Sequence, residues 1–199
     1  EIVIGAPSRY EALLESKGRV LVDFAARRER IRGEVEAAAA SVGGVAVIKE
    51  ALLDEVTALV EWPVPLVGQF DARFLELPAE VPIATMQDHQ RYFPDRDANG
   101  RLLNYFIAVA NIESREPHKV REGNERVIRP RLSDAAFFWE EDRKQPLAAR
   151  IDQLKAVTFQ QRLGSLFDKT QRVRKLALQL ATSTGTNPTM ADRAAELSK

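Results

Sequence analysis

From Val20 to Val42, apolar residues return every three or four positions: Val20, Phe24, Ile31, Val35, Ala38 and Val42. That spacing draws one stripe along a helix, with Arg27, Arg28, Glu29, Arg30 and Arg32 mostly off it. Gly43-Gly44 ends the helix, and a second amphipathic helix is predicted over residues 49–61, before Trp62-Pro63. Residues 64–70 are apolar with prolines at 63 and 65, which predicts an edge strand. A helix follows over residues 79–90, with Pro82 tolerated in its first turn. Residues 92–96 and 104–110 flank Asp97-Ala98-Asn99-Gly100, and Asn-Gly between apolar runs predicts a hairpin. Tyr92 and Phe93 then point to opposite faces, so one is expected buried and the other more exposed.

The ends of the chain read differently. Ile2-Val3-Ile4 has the character of a short strand, and Ser8-Arg9-Tyr10-Glu11 has capping-box spacing. After Glu113 the strand signals stop, and helices are predicted over residues 124–144, 146–161 and 165–181. Pro130 should kink the first of these. Residues 183–188 form a polar linker, with Thr189 a candidate cap for a last helix. The fold class is therefore α+β: a mixed half of helices and short strands over residues 1–113, a helical region over 114–182, and a linker with the start of another helical domain over 183–199. An opening without methionine and a close inside a helical pattern read as a segment of a longer chain.

Composition narrows the chemistry. Lys+Arg and Asp+Glu both total 29, so net charge points to no partner and any nucleic-acid signal has to be local. The chain has no cysteine, which excludes disulfides and thiolate chemistry and suits a cytoplasmic protein. No apolar run has the length of a membrane span. A glycine-rich phosphate loop and a G-x-S-x-G elbow are both missing, and the two histidines, His89 and His118, lack zinc-ligand spacing. Neither a metal site nor a cofactor site is expected in these residues.

The basic residues carry more. Residues 115–175 hold fifteen Lys and Arg against nine Asp and Glu, an excess of six positive charges on a neutral chain. Candidate phosphate contacts are Lys119, Arg121, Arg126, Arg129, Arg131, Arg143 and Lys144, because guanidinium forks suit phosphate oxygens. The competing reading is intrahelical pairing, such as Glu122 with Arg126 or Glu125 with Arg129. Trp62, Phe138 and Trp139 are candidate interface anchors, because three adjacent aromatics at 137–139 cannot all face one core. Met86-Gln87-Asp88-His89-Gln90-Arg91-Tyr92-Phe93-Pro94 is the other cluster, with His89 and Gln90 expected to bond around a helix end and Arg91 open to a phosphate or a carboxylate.

That stretch also resembles a known family. With Leu59-Val60-Glu61-Trp62-Pro63, Leu77-Pro78-Ala79-Glu80-Val81, Phe106-Ile107-Ala108-Val109-Ala110-Asn111, Gly123-Asn124-Glu125-Arg126-Val127, Arg131-Leu132-Ser133-Asp134-Ala135-Ala136-Phe137-Phe138 and Leu163-Gly164-Ser165-Leu166-Phe167-Asp168-Lys169-Thr170, it is similar, in order, to the β subunit of the bacterial tetrameric glycyl-tRNA synthetase. The resemblance implies a segment that holds no aminoacylation site. It implies that ATP and Mg²⁺ belong to the α subunit, and that the partners are that subunit, glycine tRNA and other β-subunit domains. Three roles follow as expectations: a tRNA-binding and assembly segment, an inter-subunit scaffold, or a hydrolytic editing-like module with His89 or Asp88 activating water.

Overall fold

The computed structural model describes residues 2–199. Its contacts divide the chain into two compact units, the first ending at Phe137 and the second Phe138–Lys199. The division comes later than the break expected at residue 113, because α5 (Pro117–Arg143) puts Ile128 and Leu132 into a core of the first unit.

A 3-10 turn at Pro7–Arg9 leads into α1 (Tyr10–Leu13) and a π turn at Leu14–Gly18. Residues 2–4 form no strand, and Ser8 caps nothing, because Pro7 already starts the helix and leaves Ser8 inside it. Next come α2 (Phe24–Ser41), β1 (Val45–Ala46), α3 (Glu50–Leu59) and β2 (Val64–Gln69). Asp23 caps α2 through the Ala26 amide, and Gly43, at φ 78°, takes the left-handed turn that follows. A 3-10 turn at Ala72–Glu76 precedes α4 (Glu80–Ala84), which runs into a π turn at Thr85–His89. β3 (Phe93–Arg96) and β4 (Leu102–Ala110) form the hairpin, with Gly100 at φ 79°.

The sheet order is β1-β3-β4-β2, all neighbours antiparallel, so β2 is an edge strand as its prolines require. One face packs on α2 and α3 through Ile31, Val35, Leu53, Phe93 and Ile107. The other packs on α5 through Tyr92, Phe106, Ile128 and Leu132. Tyr92 and Phe93 do serve opposite sides, yet both are buried, because helices cover both faces. Arg28 reaches Glu50 and, at 2.5 Å, Asp54, while Arg32 reaches Glu50 at 2.7 Å, pinning α2 to α3.

Proline positions set which way the backbone of β4 points. Pro65 has no N–H and pairs with Val109, so Val109 turns its own N–H and C=O away from β2. The alternation agrees elsewhere: Gln69, four residues on from Pro65, sends its N–H outward to Glu125 Oε1 at 3.0 Å, and the carbonyl of Pro94, opposite Phe106, accepts from Val47 at 2.7 Å rather than from β4. Tyr105, Ile107 and Val109 thus face β3. The ladder between β3 and β4 stops at Phe93↔Ile107, and Val109 meets no strand on that side.

The second unit holds a 3-10 helix at Leu147–Ala156, β5 (Thr158–Gln160), β6 (Gly164–Ser165), α6 (Leu166–Thr184) and α7 (Pro188–Glu196). The helix expected over 146–161 is a 3-10 helix that ends at Ala156, and its last residues belong instead to a small hairpin. Its turn is fixed by Gly164 at φ 83° and by a full capping box in which Ser165 and Asp168 bond each other's amides. Asn187, not Thr189, caps α7, accepting from Thr189 and Met190. Arg174 grips Asp192 with two bonds at 2.8 and 2.7 Å and reaches Glu196 at 3.1 Å. Its hydrogen bond and charge hold the Asp192 carboxyl below the ordinary carboxylate range. The contribution is thus present above that range and lost as acid protonates Asp192. Only Thr170, Ala181 and Ala195 of this unit are buried, and this ion pair adds a second tie between α6 and α7. Arg174→Ala should speed amide exchange throughout α7 while leaving α2 unchanged; equal protection in both proteins would contradict this.

Candidate RNA-facing surface and pocket

Of the seven basic candidates, all are exposed, and they fall in two groups. Lys119, Arg121, Arg126, Arg129 and Arg131 belong to the first unit, Arg143 and Lys144 to the second. Lys119 pairs with Glu116 at 2.6 Å, Lys144 pairs with Glu141, and Arg143 lies 5.7 Å from the Trp139 ring. Arg121, Arg126, Arg129 and Arg131 form no salt bridge among the described residues. The pairs Glu122–Arg126 and Glu125–Arg129 are not made; Glu125 accepts instead from the Gln69 amide.

At about 100° per residue around α5, these arginines occupy two flanks. Arg126 and Arg129 lie about 60° apart on one; Arg121 and Arg131 lie about 80° apart on the other, nearly opposite. The first flank borders an open cleft of about 610 Å³ where Arg129 meets Glu125, Asp71 and Asn104. Val120 and Asn124 of α5, which lie between the angular positions of Arg121 and Arg131 or close to them, line a different cavity of about 430 Å³ with no acid in its lining. Sequence reasoning found the charges but not their division, since it began the helix at residue 124 and left Lys119 and Arg121 outside it.

That second cavity sits beside the HQRYFP stretch. Arg91 adopts φ 60°, a left-handed conformation that costs a non-glycine residue about 1–2 kcal/mol. It turns the chain off the line of β3 and lets the Tyr92 N–H reach the Met86 carbonyl at 3.0 Å. The guanidinium bonds Glu55 at 2.5 Å and the Asp88 carbonyl, so of the two expected partners it has taken a carboxylate. Tyr92 stacks on Phe106 with centroids 4.6 Å apart, and its hydroxyl donates to Asn124 Oδ1 at 2.6 Å. Burial raises the Tyr92 pKa. His89 and Asp88 are exposed on the last turn, and neither side chain makes a hydrogen bond among the described residues. The expected bonding of His89 and Gln90 around the helix end is not made.

The aromatic candidates differ as well. Trp62 is half-buried between Arg30 at 4.7 Å and Arg19 at 5.2 Å, and Asn111 accepts from its backbone N–H. Phe138 is 63% exposed and Trp139 half-buried. No group of three or more candidate metal ligands occurs among the described residues, and none of their helices is long and apolar enough to cross a membrane.

A family model described as glycyl-tRNA synthetase beta subunit matches residues 1–199. The chain belongs to that family. Among its relatives, the glycine–tRNA ligase beta subunit of Marinobacter nauticus is 54% identical over 200 residues, covering 100% of this chain and 29% of that protein. That of Hahella chejuensis is 54% identical over 198 residues, with the same shares. That of Stutzerimonas stutzeri is 53% identical over 200 residues. The chain thus spans about 29% of the length of the relatives it matches.

Proposed function

We propose that this chain is a tRNA-binding and assembly segment of a glycyl-tRNA synthetase beta subunit, supporting ATP-dependent attachment of glycine to tRNA at an alpha-subunit site. The observation that carries the reading, beside family membership, is the set of exposed arginines on α5 that lack carboxylate partners. Their helix is committed to the core by Ile128 and Leu132, so these charges stand on a packed helix rather than on a mobile tail. Rigid guanidinium groups without internal partners supply sequence-independent affinity for a phosphate backbone. ATP and Mg²⁺ are assigned to the alpha subunit.

The Arg121/Arg131 flank is the better contact, because Arg129 on the other flank stands beside Glu125 and Asp71. In the assembled two-subunit enzyme, Arg121→Glu with Arg131→Glu should raise KM for tRNA about tenfold or more. Arg126→Glu with Arg129→Glu should have a smaller effect, and glycine-dependent pyrophosphate exchange without tRNA should persist in both. An unchanged KM in both pairs contradicts the RNA reading. The scaffold reading draws on Phe138, exposed in this chain, and on the half-buried Trp62 and Trp139, with Trp62 lying between Arg19 and Arg30.

A further inference from the structure

We infer that the cavity beside Arg91 receives a single unstacked nucleobase, held edge-on by the backbone of Val109 and by the amides of Gln90 and Asn124; the inference rests on the tRNA-binding reading and names a specific site within it. The back of the cavity is the stretch of β4 beyond the start of β3, where Val109 presents one N–H donor and one C=O acceptor to no strand. An adjacent donor and acceptor is the complement of a base edge. Asn124 uses one Nδ2 hydrogen on the Val120 carbonyl at 2.8 Å and one Oδ1 lone pair on Tyr92, which leaves one donor and one acceptor free. Gln90, also in the lining, makes no side-chain hydrogen bond among the described residues and keeps its full amide capacity. Apart from Arg91 and Tyr92 the remaining walls are aliphatic, among them Val56, Val60 and Val120, as a flat apolar base face needs.

Charge and size agree with this occupant. At about 430 Å³ the cavity falls in the range of small-molecule sites. Its one cation, Arg91, is spent on Glu55 and the Asp88 carbonyl, so the interior suits an uncharged group, not a phosphate. Phosphates have partners just outside: Arg121 is next in sequence to Val120, and Arg131 lies seven residues beyond Asn124, on nearly the same line of α5 and about 10 Å along it. An extended peptide is the competing occupant of any open strand edge. Here the open edge offers one outward residue, Val109, between Ile107, already paired to Phe93, and the end of β4 at Ala110. One donor–acceptor pair is too little for an added strand and sufficient for a base. The strained Arg91 turn keeps β3 from starting before Phe93 and so keeps this edge open.

The test is base-specific chemical probing of glycine tRNA on the full two-subunit enzyme, with Gln90→Ala, with Val120→Phe, which fills the cavity, and with Val109→Pro, which removes the outward N–H without taking a donor from the ladder to β2. One unpaired base should be protected by the wild type and reactive with each variant, with tRNA affinity about tenfold weaker. Far-ultraviolet dichroism and thermal unfolding report that each variant is folded, and should Val109→Pro fail there, the other two decide. Protection and affinity unchanged in Gln90→Ala and Val120→Phe overturn the proposal. So does a loss of subunit association in those variants with base reactivity unaltered, the result a bound peptide would give. A base exposed by the pocket variants while Arg121→Glu/Arg131→Glu leaves binding intact would keep the pocket and remove the phosphate surface. The reverse pattern would keep the surface and remove the pocket.

Discussion

Gly68→Ala should cost about 3 kcal/mol or more and disorder the sheet face under α5. Gly68 pairs with Phe106 across β2 and β4, and the Phe106 ring folds directly over it. A Cβ at residue 68 would lie 2.2 Å from the ring's Cζ. The ring cannot retreat, since Tyr92 stacks on it at 4.6 Å and Phe106 itself is fully buried. Either the ring leaves its place in the core or β2 separates from β4. A shift in the denaturation midpoint, with loss of the Tyr92 environment in near-ultraviolet dichroism, checks this. A change under about 0.5 kcal/mol would mean the sheet absorbs a methyl there, against the close packing of protein interiors.

Asp95→Asn should act in the opposite direction and stabilise the chain at neutral pH by about 1–3 kcal/mol. Asp95 is fully buried on β3, both carboxylate oxygens lack a hydrogen bond of normal geometry, and Gly44 lies so close that a Cβ there would be 2.1 Å from them. Burial raises its pKa above the ordinary 3.8, and the nearby Arg96 and Val45 amides only soften the shift. The native state therefore holds this proton more tightly than the unfolded chain does. Stability should fall as pH rises from about 3.8 through the raised native value, and level off above it. A side-chain amide at this position has no proton to lose, so the variant should lack this downward component of the slope across that window. Equal slopes for wild type and Asp95→Asn would show that some other group compensates the buried charge.

Much of the first unit was legible from pattern. The stripe through Ile31 and Val35 placed α2, Gly43-Gly44 ended it, and Asn99-Gly100 placed the hairpin, because each signal is local and physically forced. What escaped depended on packing or on competition between local signals. Ser8 had capping spacing, but Pro7 fixed the helix start first. Thr158–Gln160 is too short to show a strand period and pairs only because Gly164 and the Ser165–Asp168 box turn the chain back. Tyr92 and Phe93 alternate as a strand predicts, yet helices on both faces bury both of them. The candidate surface was half legible. Arginine identities are in the sequence, but their flanks depend on α5 starting at Pro117, and the open edge at Val109 depends on the registers with Pro65 and Phe93.

The central claim is that α5 offers guanidinium groups to a tRNA backbone, and the salt dependence of tRNA binding by the assembled enzyme tests it most directly. Each phosphate contact released contributes about 0.7–0.9 to the slope of log affinity against log salt. Arg121→Glu with Arg131→Glu should therefore lower the slope by about 1.5 relative to the wild type, and bring the affinities of the two proteins together at high salt. Equal slopes, with equal affinity at low salt, would contradict the account.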